Sequence, residues 1–356
     1  MKKFIYCLIA VVLVFNSCQK DDDSTKQQPI DTFHENYYAE NILPALNNFK
    51  TEIEAQFKLS ETFKAEPTED NFKKLQAQWL NTAKTFSKTR AYNLVAVKSK
   101  FFDILIYNLV TNPDQIEVNI NEKAIYDTDY IASKSTVTKG LGAIEYLLFN
   151  NQDSDSAWNL LQNDAFRIDY LIGVTQEVLR QANLLIDFWE AGYKDTFINA
   201  RSVSCIENAR CLAFNQLINI LDVTRVTKVG KPSGLEDSSS ATLESLEAYR
   251  SGSSLALIRS TIEEVEYAYS LSPANFSNVV NDIADSNQIS NEIDKTFEAV
   301  YTHIDAIDTS LYEAISNDNP NVELLYNSLF DLVKYFSVDA ASVLSVTVLP
   351  TDNDGD

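Results

Sequence analysis

Of 356 residues, only 8 are glycine and 8 are proline, where average usage would supply about 43 of the two together. Strand-rich and alternating strand–helix folds depend on tight turns, and tight turns depend on these residues. A chain this short of them folds as long helices with few connections, and a hydrophobic content of 45% supplies their core. The 51 acidic and 29 basic residues leave a formal net charge of −22. Phosphate binding needs clustered Lys and Arg, and no such cluster occurs, so nucleic acid is excluded as a partner.

The first residues read as an address. Met1-Lys2-Lys3 is positive, Phe4 to Phe15 is apolar and uncharged, and Asn16-Ser17 closes the run. That pattern over residues 1–17 is a secretory leader, too short to span a bilayer. Cys18 stands where a bacterial lipobox places its lipidated cysteine, which it resembles, so Cys18 is expected to carry lipid. Gln19-Lys20-Asp21-Asp22-Asp23 resembles the export signal of Bacteroidetes surface lipoproteins, with Lys20, Asp21 and Asp22 as the residues read. Residues 18–30 are then a flexible tether holding the protein at the outer membrane. Its external face is expected, and the periplasmic face is the alternative.

Beyond the tether the hydrophobic period is helical. Phe72, Leu75, Trp79, Ala83, Phe86 and Arg90 recur at steps of three and four. Trp158, Leu161, Ala165, Ile168, Ile172, Thr175, Val178, Ala182 and Leu185 do the same over nearly eight turns, and Leu325, Leu329, Leu332 and Phe336 mark a late helix. Such stripes face a common core in a bundle. Breaks are few. Glu66-Pro67-Thr68 separates two long helices, with Thr68 or Asp70 as the N-cap. Asn112-Pro113-Asp114 opens an irregular stretch through Asp129, and Gly230 to Ser240 is the longest non-helical segment. The expected organisation is all-α, with bundles at 31–150 and 151–346 and an acidic tail at 347–356 whose last five residues, Asp352 to Asp356, are frayed.

Cys205 and Cys211 lie six apart in a stretch that reads as helix. Six residues are about 9 Å of rise, with the side chains about 120° apart. A disulfide would need that helix to be broken, so two buried free thiols are expected.

Familiar hydrolytic motifs are absent: there is no His-Glu-x-x-His, Gly-x-Ser-x-Gly or Cys-x-x-Cys. The two histidines, His34 and His303, are too few for most His-based metal sites, and His303 reads as solvated beside Asp305 and Asp308. Glu263, Glu264 and Glu266, and Glu244 with Glu247, read as solvated helix faces. Asp352-Asn353-Asp354-Gly355-Asp356 looks like half a calcium loop without its closing Glu. Glu145 is different, because Ala143-Ile144 precede it and Tyr146-Leu147-Leu148-Phe149 follow it. A carboxylate in such a run must be paired, hydrogen-bonded or metal-bound.

Gly140-Leu141-Gly142-Ala143-Ile144-Glu145-Tyr146-Leu147-Leu148-Phe149 resembles the signature helix of the imelysin family, Gly-x-His-x-x-Glu followed by an aromatic and two leucines. Trp79 with Phe86 and Ala91-Tyr92-Asn93 resembles the family's early Trp helix. Gly230-Lys231-Pro232-Ser233-Gly234 with Glu244-Ser245 resembles its later segment. The ending from Leu332 to Asp356, with Asp339, resembles Bacteroidetes members. The resemblance implies two packed helical bundles with the signature helix near their interface. It also implies a role in iron uptake, with iron or another divalent metal as ligand, an iron-uptake component as partner, and a family sometimes classed as metallopeptidases. Glu145 carries over as the tentative metal residue, but Gly142 occupies the histidine position and offers no ligand atom. Three readings follow: a surface-anchored binding protein for metal or iron acquisition, an interaction or structural lipoprotein that has lost the metal site, and a metallopeptidase, disfavoured by the incomplete motif.

Overall fold

The computed structural model describes residues 28–150, 152–236 and 240–353. The leader, Cys18, Lys20, Asp21 and Asp22 lie outside the described residues. Twelve helices of nine residues or more run through these regions: α1 (Gln28–Tyr37), α2 (Leu43–Ala65), α3 (Glu69–Thr89), α4 (Pro113–Asn121), α5 (Gly140–Phe149), α6 (Ser154–Gln162), α7 (Ala165–Phe188), α8 (Ala209–Val223), α9 (Ser254–Glu266), α10 (Phe276–Ala284), α11 (Gln288–Asp305) and α12 (Asn321–Lys334). The expected all-α class is what the chain adopts. β-type pairing among the described residues is limited to one isolated bridge between Arg201 and Asn208. None of the described helices is long and apolar enough to cross a membrane.

Local chemistry sets the helix ends. Thr68 takes the N-cap of α3, its hydroxyl accepting from the Asn71 amide at 3.3 Å. Asp70 lies inside the first turn instead, where its charge complements the helix dipole. The α3 stripe from Phe72 to Phe86 is buried throughout, and the fully buried Trp79 donates its indole N–H to the Leu141 carbonyl at 3.0 Å. That bond ties α3 to the start of α5.

α2 and α3 form a hairpin, α7 lies along α2, and α5 packs against both α3 and α7. A second group is built from α8, α9, α11 and α12, and it meets the first where α9 packs on α3. α7 follows Asn150 in sequence yet packs with the first group, so the division in packing falls beyond α7.

Several local expectations are corrected. The stretch after Asn112 is irregular only over residues 123–127; before it Asn112 caps α4 by accepting from the Gln115 amide at 3.1 Å, with Pro113 at the first helical position. The long run from Trp158 to Leu185 divides at Asp164, which caps α7 through the Phe166 and Arg167 amides. The Gly230 segment begins helically, because Thr224–Gly230 is a π-helical turn and Lys231–Ser233 continues it. Cys205 and Cys211 are joined as a disulfide, with Cα atoms 5.2 Å apart. The assumption of unbroken helix failed there: Cys205 lies in a short 3-10 turn, and Asn208 starts α8 afresh.

The C-terminal segment is docked through Asn353, not frayed. The Leu349 and Asp352 amides donate to Asn215 and Asn219 Oδ1 of α8, each at 2.8 Å. Asp352 also pairs with Lys98.

Candidate functional site

The signature helix enters the core through two close approaches. Gly140 has φ +79°, and a Cβ there would meet the Ile106 carbonyl oxygen at 2.6 Å. At Gly142 the space a Cβ would need is already taken by Thr111 Oγ1, with the Asn108 carbonyl at 3.4 Å and the Tyr107 ring at 3.6 Å. The position that carries histidine in the family motif is therefore filled from the 107–111 segment.

One turn on, Glu145 is buried at 2% exposure. Its Oε1 accepts from the Ser251 amide at 2.9 Å and from the Ser251 hydroxyl at 3.0 Å. Burial pushes the Glu145 carboxyl up to about 7, against the lowering pull of those bonds and of Arg250. Both polar atoms within hydrogen-bond reach of Oε1 come from the connection that leads into α9. The signature helix and the second helical group are thus joined at Glu145.

A second buried carboxylate lies close by. Glu247, 4% exposed, accepts from Arg90 Nη1 at 2.7 Å, while its other oxygen pairs with Lys228 Nζ at 2.8 Å. This corrects the expectation of a solvated face. Alone, burial would raise the Glu247 carboxyl; Lys228 and Arg90 outweigh it and hold the group below its ordinary range. Burial lowers the Lys228 ammonium. Each cation is delivered by its own element. Arg90 extends the buried α3 stripe one step past Phe86 and lies over the Phe86 ring at 5.1 Å. The π-helical turn Thr224–Gly230 brings in Lys228.

Arg250 completes the cluster, its guanidinium 4.5 Å from the centre of the Tyr249 ring and 5.9 Å from that of Tyr146. Tyr107 lies between the two halves of the cluster. Its hydroxyl is buried without a hydrogen-bond partner, and burial, with Glu145 and Glu247 nearby, raises it well above its ordinary value. Beside Arg90 and Tyr107 a cleft of about 380 Å³ opens between the helical groups, and Asp352 and Asn353 line its other side.

This donor set does not fit a bound iron or zinc ion. Among the described residues no group of three or more His, Cys, Asp or Glu side chains is placed to hold a metal. Glu145 is bonded to Ser251, Glu247 is held by two cations, and Arg250 adds a third positive charge. A cation entering here would meet repulsion and carboxylates already engaged. His34 is buried elsewhere, against the Ile198 carbonyl, and His303 is half-buried on α11.

Glu145 was legible because it breaks an apolar run. Glu247 carries the same signal more faintly, between Leu246 and Ala248, both buried. Glu244, read with it as one solvated face, is exposed. Arg90 appeared within its stripe without a role, and nothing local to Lys228 marks it as buried.

Comparison with known proteins agrees with this architecture. An imelysin-like protein from Psychrobacter arcticum 273-4 superposes with a TM-score of 0.77 at 16% identity, covering 91% of this chain and 98% of that one. A provisionally named iron-regulated protein A precursor from Parabacteroides distasonis ATCC 8503 gives 0.73 at 14% identity, covering 89% and 95%. No curated protein matches the chain in sequence. The family model for imelysin, designated peptidase M75, matches residues 42–334. With that span and the two helical groups in place, the chain belongs to the imelysin family.

Proposed function

We propose that this protein is an outer-membrane lipoprotein of imelysin type, anchored through Cys18 and facing the cell exterior, that serves iron acquisition as an interaction component. In this reading it is neither a metal-chelating protein nor a peptidase. The address rests on the sequence of the leader and of Lys20-Asp21-Asp22. The iron context is supported by the name of the Parabacteroides protein and by the chain's resemblance to a family linked to iron uptake.

One observation carries the choice. Glu145 is bonded twice to Ser251, and the place of the family histidine at Gly142 is filled by Thr111. Binding of iron or another divalent metal at Glu145 would require that carboxylate to leave Ser251 and recruit further donors from a surrounding of arginine and lysine. Peptidase chemistry would in addition need a metal-activated water and a base, and Glu145 is the only acid that the motif supplies.

Elemental analysis of full-length protein purified without chelators tests the choice. Neither iron nor zinc should approach one ion per chain. Stoichiometric metal that disappears in Glu145→Ala would reverse it in favour of metal binding. Fatty-acid labelling abolished by Cys18→Ala, with protease accessibility on intact cells, tests the anchor and its side. Induction of the transcript by iron starvation tests the context.

A further inference from the structure

α1 fixes the end of the molecule at which the tether joins. Tyr38, just after α1, packs on Trp189 with 5.5 Å between ring centres and donates its hydroxyl to Glu190. One turn back along α1, His34 lies 6.1 Å from the Phe197 ring and 3.3 Å from the Ile198 carbonyl. The two segments therefore run in opposite directions, and the chain beyond Ile198 heads toward the start of α1 at Gln28. Cys18 stands ten residues before Gln28, which puts a lipid on it within at most about 36 Å of that end.

At that end the chain makes a closed loop. The Ala209 amide donates to the Ala200 carbonyl at 2.9 Å, and the Ser202 amide to the Glu207 carbonyl at 3.3 Å. The Asn208 side chain donates to the Ser202 carbonyl at 2.9 Å, and the disulfide from Cys205 to Cys211 ties the loop to the first turn of α8. What this bracing presents to solvent is apolar. Val203 is fully exposed and Ile206 is 65% exposed. Val348 is exposed as well, next to Thr347, whose carbonyl accepts from the Asn215 side-chain amide that also approaches Cys205 Sγ at 3.4 Å. The loop departs from the charge of the chain too. Arg201 and Arg210 against Glu207 leave residues 200–211 at +1, two positive less one negative, in a chain of −22.

We propose that this loop is a membrane-docking point: Val203 and Ile206 enter the headgroup–acyl boundary of the bilayer that holds the lipid on Cys18, with Arg201 at the level of the lipid phosphates. The proposal rests on the anchor at Cys18 assigned above. Two aliphatic side chains hold a bilayer weakly on their own. The tether makes the contact intramolecular, so that a weak contact suffices. A braced loop also loses little freedom on insertion. The acidic remainder of the surface is repelled by anionic lipid, which leaves the positive loop as the favoured point of approach.

Tryptophan quenching tests this with full-length lipidated protein in vesicles of phosphatidylethanolamine and phosphatidylglycerol, part of the lipid being brominated on its acyl chains. Val203→Trp should add emission that brominated lipid quenches well above the wild-type background. Ile125→Trp is the control, because Ile125 is exposed beside Tyr126, which packs on Tyr170 about 28 Å of helix before Trp189. Emission added there should not be quenched. Ile206→Asp in the Val203→Trp background should abolish the quenching and leave the thermal transition in place, since both side chains are exposed. Quenching at position 203 no stronger than at position 125 would overturn the proposal and leave the loop to a protein partner. So would quenching that survives Ile206→Asp. Fatty acid on the wild-type protein, lost in Cys18→Ala, reports the anchor separately. Lipidated protein without quenching at position 203 overturns docking alone, and wild type without fatty acid overturns the anchor and docking together.

Discussion

The two acidic clusters are built from the same residue types and differ in how fully their charges are matched. At the junction, Glu247 has Arg90 and Lys228 within 2.8 Å, and Glu145 has two donors from Ser251. In a cleft of about 390 Å³ lined by α2, α3 and α9, Glu263, Glu264 and Glu266 face one lysine, Lys88, which approaches no closer than 3.6 Å. A buried carboxylate matched by close cations can be held in one place, whereas carboxylates that outnumber their cation repel one another. The family signature thus leads in this chain to a charge-matched cluster, and the cluster without a motif is the one with surplus negative charge.

The comparison breaks most visibly if a junction charge is removed. Glu247→Ala leaves Arg90 and Lys228 buried without their anion, and about 3–5 kcal/mol of stability should be lost, read by urea denaturation with the m-value checked for two-state behaviour. Gly142→His forces a ring into space held by Thr111, the Asn108 carbonyl and Tyr107. Overpacking of this kind costs about 1–3 kcal/mol, and the variant should bind no zinc or iron by elemental analysis. A stable Gly142→His protein carrying one metal ion would mean that the junction is a dormant metal site.

Glu145 gives the junction a pH signature. Its carboxyl is raised from an ordinary 4.5 to about 7. Between those values the folded state holds a proton that the unfolded state has released. The stabilisation is complete below about pH 4.5 and is lost as pH rises through about 7. Glu145→Gln keeps an acceptor for Ser251 and removes the titration. The stability of wild type relative to Glu145→Gln should rise by on the order of 1–3 kcal/mol from pH 8 to pH 5. A flat difference would mean that Glu145 stays ionised and that Ser251 and Arg250 outweigh burial.

Periodicity predicted the helices well, because Trp79, Leu75 and Phe86 or Leu325, Leu329 and Leu332 must face one core, and each of them does. Where the reading failed, the cause was a local capping or packing choice that spacing alone does not carry. Asn208 restarts α8 and brings Cys205 within reach of Cys211. α7 packs back on α2 although it follows the expected boundary at Asn150. Of the junction, Glu145 was visible because an acid inside an apolar run has few destinies. Its partner Ser251, and the pairing of Glu247 with Arg90 and Lys228, join residues up to 157 positions apart. No local pattern encodes such a meeting. Glu264 was misread for a related reason: its neighbours Glu263 and Glu266 are half-exposed, and their charge masked the buried member of the group.

The smallest effect on stability should come from the cleft, and that is what separates the two clusters. Glu263 and Glu266 are half-exposed, and Lys88 is too distant from Glu263 for a tight ion pair. Replacing both with glutamine removes repulsion from the wall and leaves the Tyr301 hydroxyl, which donates to Glu266 at 2.6 Å, with an amide oxygen to accept it. Lost attraction to Lys88 and relieved repulsion with Glu264 act in opposite directions. The net change should stay within about 0.5 kcal/mol, as for surface substitutions in general, and its sign should lean toward stabilisation as ionic strength falls, since like charges repel more strongly with less screening. Denaturation at low and at physiological salt measures both. A loss comparable to that of Glu247→Ala would make these carboxylates structural and erase the distinction; a salt-sensitive gain would show that the repulsion in the wall is uncompensated.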